Sequence, residues 1–133
     1  MTDRPAPLAG AMVQEFVSVA HADLARVTAL LEQEPRLIHA AWDWGGGDFE
    51  TGLAAAGHMG RRDIAELLLA RGARFELCAA AMLGQLEAVR AVLAADPRQR
   101  EAKGPHGISL LTHAEQGGEG ARAVLDFLRA GAG

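Results

Sequence analysis

Apolar residues recur at helical spacing along this chain, and they do so in pairs of segments. Leu24, Val27, Leu30 and Leu31 fall on one helical face. So do Ile64, Leu67 and Leu68, then Leu86, Val89, Val92 and Leu93, then Val124, Leu125 and Leu128. Each of these amphipathic segments follows a shorter, Ala-rich one: Phe16, Val19 and Ala20; Leu53 to Ala56; Leu77, Ala80 and Ala81; Leu111 and Ala114. The pattern predicts four helix pairs. Neither member of a pair can bury its apolar seam alone, so the pairs are expected to stack as a solenoid. Local signals fit this plan. Thr51 is placed to cap a helix, Gly60 and Gly84 to turn between paired helices, and Gly72 to end one. Pro97 cannot continue a helix, and Asp96-Pro97 matches an earlier Glu34-Pro35. Ala22 stands where the later units have Gly60 and Gly84, and Gly117-Gly118-Glu119-Gly120 predicts a longer turn in the last unit.

The second unit runs Thr51-Gly52-Leu53-Ala54-Ala55-Ala56-Gly57-His58-Met59-Gly60, then Ile64 to Leu69, then Gly72-Ala73. This resembles the ankyrin-repeat family, whose pattern opens Thr-Pro-Leu-His, passes through Ala-Ala to a Gly turn, and closes with Leu-Leu and Gly-Ala. Gly52 stands in place of the proline and Ala54 in place of the histidine, so the second half matches better than the first. The likeness extends over residues 14–132. It implies an all-α, ankyrin-type solenoid of four helix-turn-helix repeats, in the manner of a small bacterial-type ankyrin-repeat protein. It also implies a protein partner, gripped by finger loops and the concave helical face.

Spacing departs from that family. Leu31 to Leu69 is 38 residues, Leu69 to Leu93 is 24 and Leu93 to Leu128 is 35, against a period of about 33. One finger is therefore missing, between the second and third units, and the two flanking finger loops are long. A notch is expected there, walled by residues 36–50 and 97–108. Residues 1–13, with Pro5 and Pro7, read as a flexible tail and residues 14–133 as the repeat domain.

Charge and composition narrow the function classes. The net charge of −4 disfavours nucleic acid, whose binding rests on clustered Lys and Arg. No apolar run approaches the roughly 20 residues of a membrane span, and the first residues lack the order of a signal peptide, so a cytoplasmic location is the expectation. The single Cys78 lies in an apolar run and reads as a small core residue rather than a nucleophile.

The candidate functional residues gather on the two notch walls. The first wall holds both tryptophans and several carboxylates in Trp42-Asp43-Trp44-Gly45-Gly46-Gly47-Asp48-Phe49-Glu50. Trp is enriched at binding hot spots, although Trp42 and Phe49 could equally cover the apolar ends of the first helix pairs. The carboxylates would repel phosphate from the glycine run. They would welcome a cationic group, an amine or an Arg-rich peptide, beside a Trp face. The second wall offers Gly104-Pro105-His106-Gly107, a constrained turn presenting His106. His58 could face it across the notch, with Asp48 or Glu50 nearby, the minimum for acid/base chemistry or a divalent metal.

His39, His58, His106 and His113 show no local metal-ligand spacing, so no metal and no cofactor is assigned, and the catalytic residues stay unknown. His113 reads as structural. Met59 and Met82 read as core packing that could also line the groove.

Three functions follow. The first is a protein-interaction module using Trp42, Asp43, Trp44, Asp48, Glu50, His58 and His106. The second is a small-molecule or acid/base site in a closed pocket at the notch. The third is a stackable module that oligomerises through apolar faces at Val17 or Val124. The architecture itself carries a test. Leu68→Ala, in a middle unit, is expected to cost about 2–5 kcal/mol, and Asp3→Ala, in the tail, almost nothing. Equal costs in urea denaturation would contradict the repeat assignment.

Overall fold

Each sequence pair forms two helices, joined by a tight turn in the first three pairs and by a longer one in the fourth. The computed structural model describes residues 3–131. In it α1 (Gly10–Val19) pairs with α2 (Leu24–Gln33), α3 (Gly52–His58) with α4 (Arg62–Ala70), α5 (Leu77–Leu83) with α6 (Leu86–Ala95), and α7 (Leu110–Gln116) with α8 (Arg122–Ala130). Capping follows the side chains. Asp23, Thr51 and Ser109 accept hydrogen bonds from the amides of Arg26, Ala54 and Thr112, which satisfies orphan donors at the starts of α2, α3 and α7. Glu34 and Asp96 do the same for Arg36 and Arg98, each opening a 3-10 turn on the proline that follows. The two matched acidic-Pro dipeptides are thus one local device used twice.

Between the first and second pairs, β1 (Ala41–Asp43) and β2 (Phe49–Thr51) form an antiparallel hairpin, the one sheet among the described residues. The segment 96–109 between α6 and α7 is also long but irregular, closed by a single bridge from Lys103 to Ser109. Only six residues separate α4 from α5, and they hold no regular element.

The first helices of successive pairs pack side by side, α1 on α3, α3 on α5 and α5 on α7, and α3 also meets α7. Small side chains permit this. Residues 52–57 of α3 and 79–83 of α5 are buried throughout, most of them Ala or Gly, so the backbones approach closely. The second helices supply the larger apolar groups: Val27, Leu30, Leu31, Ile64, Leu68, Val89, Leu93, Val124 and Leu128. These form two adjoining cores, one built mainly from α1 to α4 and one from α5 to α8. No helix among the described residues is long and apolar enough to cross a membrane.

Several expectations need amending. The packed region begins before residue 14, because α1 starts at Gly10, Val13 is buried and Leu8 and Met12 pack on the first core. Met1, Thr2, Ala132 and Gly133 lie outside the described residues. Val17 and Val124 are fully buried within the chain, so neither offers the apolar face that stacking of copies would need. Met82 is core, whereas Met59 is exposed. The longer last turn expected from its glycines is present, as a 3-10 segment, Gly118–Ala121.

Two of these features give testable outcomes. Gly84 ends α5 at φ +78°, and a Cβ there would run into the carbonyl oxygen of Gly120; Gly72, at φ +96°, faces open space. Gly72→Ala is expected to cost only the left-handed strain of about 1–2 kcal/mol, and Gly84→Ala clearly more. Equal urea midpoints would contradict the close approach of α5 to the 118–121 turn. The second concerns His113, buried in α7 with its Nδ1 donating to the carbonyl of Ser109 at 2.7 Å. Burial holds its pKa below the usual imidazole value. The unfolded chain then takes up a proton that the folded chain refuses, so this part of the stability is present above about pH 6.5 and falls as pH drops below it. His113→Gln is expected to flatten the acid side of the stability profile; an unchanged slope would contradict a buried neutral ring.

Candidate functional site

Strand alternation builds the centre of the site. In β2, Phe49 points outward and is 61% exposed, while Glu50 points inward and is 1% exposed. The hairpin register sets Trp42 opposite Glu50 on the same face. Trp42 is half-buried, packed on the first core with Gly10 beside its ring. The hairpin tip is held by Asp43, whose carboxylate accepts from the amides of Gly45 and Gly47 at 2.8 and 3.0 Å.

A carboxylate out of water requires compensating partners, and Glu50 has four. Trp44 Nε1 donates to Oε1 at 2.8 Å, and His58 Nε2 donates to Oε2 at 2.8 Å. His21 Nε2 stands 3.3 Å from Oε1, and His106 Nε2 stands 3.4 Å from Oε2. Burial opposes ionisation of Glu50, and the hydrogen bonds from His21, His58 and Trp44 outweigh it, so its pKa lies far below the usual carboxylate value. The hydrogen bond to Glu50 in turn raises the pKa of His21 against the effect of burial.

Each ring is placed by a different part of the chain. His58 is the last residue of α3. His21 lies in the α1–α2 turn, where its Nδ1 donates to the carbonyls of Val17 and Ser18 at 2.9 and 3.0 Å. His106 sits in the Pro105–Gly107 turn at φ +62°, the one non-glycine residue with positive φ among those described. That conformation is strained for a residue with a Cβ. Asp48 holds it there, accepting from the His106 amide at 2.8 Å and from Nδ1 at 2.6 Å. The amide bond is the main cause of a lowered Asp48 pKa, with the ring's hydrogen bond adding to it against burial. The rings of His21 and His58 meet edge to face at 5.0 Å, and those of His58 and His106 at 5.4 Å.

Of the residues singled out from sequence, Trp44, Asp48, Glu50, His58 and His106 converge. Trp42 and Asp43 serve the hairpin's own packing and turn. Trp44 keeps 38% of its surface exposed while its indole N–H is committed to Glu50. His39 is exposed and outside the cluster. His21 was missed. Its signal was the alignment of Ala22 with Gly60, which sets His21 in register with Met59, next to His58; stacking α1 on α3 then brings the two turns together.

The notch is present as an open-sided cleft of about 480 Å³, with Gly47, Asp48 and Phe49 on one wall, Ala102 to Pro105 on the other, and Glu76 to Cys78 between. Its open side differs from the closed pocket that a small-molecule site there called for. Asp48 reaches the cleft, but Glu50, His58 and His106 do not line it, so the polar cluster lies beside the notch rather than within it. Cys78 is no nucleophile in this setting: burial, with the charge of Glu76, pushes its thiol up to about 11. The absence of local metal spacing proves a poor guide, because His21, Glu50, His58 and His106 come from four separate segments and still place one ligand-type atom each within 4.8 Å of the others.

Comparison of the chain with family models, with curated proteins and with solved structures returned no match.

Proposed function

We propose that this chain is a cytoplasmic ankyrin-type repeat protein whose working site binds a cation at the His21, Glu50, His58 and His106 cluster. The architecture part of the reading is supported by the four stacked helix pairs, the hairpin finger and the Ala-Ala and Leu-Leu signatures in their places. The function part is carried by one observation. Glu50 is a buried carboxylate, Asp48 lies close by, and the positive charge facing Glu50 among the described residues is whatever protons the three imidazoles take up. A bound cation replaces those protons at a place already shaped to neutralise an anion.

Acid/base catalysis fits less well. The Asp48–His106 pair has the spacing of a catalytic dyad, yet the free nitrogen of His106 faces Glu50 rather than the cleft where a substrate would lie. The two tryptophans likewise contribute inward contacts, Trp42 to the core and Trp44 to Glu50.

Thermal unfolding of tag-free protein against divalent metal chlorides, guanidinium and methylated amines, at matched ionic strength, tests the reading. At least one cation is expected to stabilise saturably, by about 2.7 kcal/mol at a hundred times its Kd. Glu50→Gln, which keeps the shape and loses the charge, is expected to abolish that gain. A flat response to every cation, or a gain that Glu50→Gln leaves intact, would sink the proposal.

A further inference from the structure

The cluster's hydrogen bonds discriminate between classes of cation. A backbone carbonyl can only accept, so Nδ1 of His21 carries hydrogen, and the neutral ring then presents a bare Nε2 lone pair toward Glu50 Oε1. Asp48 fixes His106 in the same sense, with Nδ1 donating and Nε2 turned toward Glu50 Oε2. Left bare, these lone pairs would face carboxylate oxygens at 3.3–3.4 Å, so a positive centre, either a proton donated to Glu50 or a bound cation, belongs between them. Protons could supply it, but they would put two imidazolium rings, each packed on the ring of His58 at 5.0 and 5.4 Å, around a single buried acid. One divalent ion supplies the charge without that repulsion. An organic cation fits less well, because the ligand atoms lie within 4.8 Å of one another, a space for one atom rather than for a methylated nitrogen or a planar guanidinium.

Distances and outer contacts agree with a metal. Four ligands about 2.0–2.1 Å from a tetrahedral ion stand about 3.3 Å apart. The separation of His106 Nε2 from Glu50 Oε2, 3.4 Å, already has that length, and the 2.8 Å contact of His58 with the same oxygen has to open by about half an ångström; His21 Nε2 stands 3.3 Å from the other oxygen, within the 4.8 Å that spans all four ligand atoms. Metal-bound histidines characteristically give their second nitrogen to a carbonyl or a carboxylate. His21 does the first and His106 the second. Trp44 occupies Oε1 of Glu50 and leaves Oε2, between His58 and His106, the freer donor. Three imidazole nitrogens and one oxygen suit zinc, cobalt, nickel or copper, not the all-oxygen shells of calcium and magnesium.

We infer that the chain holds one divalent transition metal ion of the zinc class, ligated by Nε2 of His21, His58 and His106 and by a carboxylate oxygen of Glu50. Asp48, Trp44 and the carbonyls of Val17 and Ser18 orient these ligands from outside. The ion joins the α1–α2 turn, the hairpin, the end of α3 and the turn before α7, and so locks the two long loops to the stack at one point. The inference rests on the cation reading given above and narrows it to a metal.

The test is titration of tag-free, chelator-treated full-length chain with cobalt(II), followed by visible absorption, then displacement by zinc in competition with a chromophoric chelator. One equivalent of cobalt with the intense bands of tetrahedral coordination is expected, displaced by zinc and unaffected by millimolar magnesium or calcium. His58→Ala and His106→Ala should each abolish stoichiometric binding. His106 lies at the exposed rim, so its variant keeps the test valid where His58→Ala disturbs packing, and far-UV circular dichroism verifies folding. Asp48→Asn should weaken zinc binding about 10–100-fold by loosening the His106 turn and ring that Asp48 holds. His39→Ala should change nothing. Absent stoichiometric cobalt binding, binding that survives both histidine variants, or equal affinity for calcium would overturn the metal assignment. If cobalt fails while a guanidinium or amine still stabilises the wild type and not Glu50→Gln, the metal falls and the cation reading stands; if both fail, both are wrong.

Discussion

Burying a carboxylate obliges the chain to rebuild its hydration from side chains, and Glu50 imposes that obligation on this molecule. An unpaired buried charge costs several kcal/mol, comparable with much of a small domain's net stability. Meeting it here takes an indole N–H and three imidazoles drawn from the α1–α2 turn, the hairpin, the end of α3 and the loop before α7. Residues 21 to 106 are thereby tied together by one anion. The strained backbone at His106 and the doubly bonded Asp48 belong to the same arrangement, since each serves to aim a ring at Glu50.

The short α4–α5 connection makes this possible. Were a third projecting loop present there, it would stand between the hairpin and segment 96–109, and Asp48 could not reach His106. Its absence leaves the cleft and brings the two loops into contact above it. Small residues in α3 and α5 shorten the distance further, because Ala and Gly let the helices approach until α3 also meets α7.

Much of the fold was legible because helical periodicity and capping are local. The four pairs, the Thr51 cap, the Gly60, Gly72 and Gly84 turns and the short α4–α5 connection all follow from neighbours in sequence. The start of the packed region was less so: Met12 and Val13 carry too little pattern to mark α1 among the prolines before it. The site was legible only in part. Glu50, Asp48, His58 and His106 stood out as isolated chemistry on the two long loops and α3, but which face of a three-residue strand points inward depends on the hairpin register, and that separated buried Glu50 from exposed Phe49. His21 could be recognised only by stacking one turn on the next. Trp42 and Trp44 looked alike in sequence and differ in place, one packed on the core and one spanning to Glu50.

The central claim is that three imidazoles and Glu50 surround a single metal ion, and X-ray absorption at the zinc edge of protein loaded with one equivalent tests it most directly. The account requires a first shell of four nitrogen and oxygen atoms at about 2.0–2.1 Å, with the outer-shell scattering of three imidazole rings. A six-coordinate shell of oxygen without imidazole scattering would mean that zinc sits elsewhere on the surface, and that Glu50 is neutralised by protons alone.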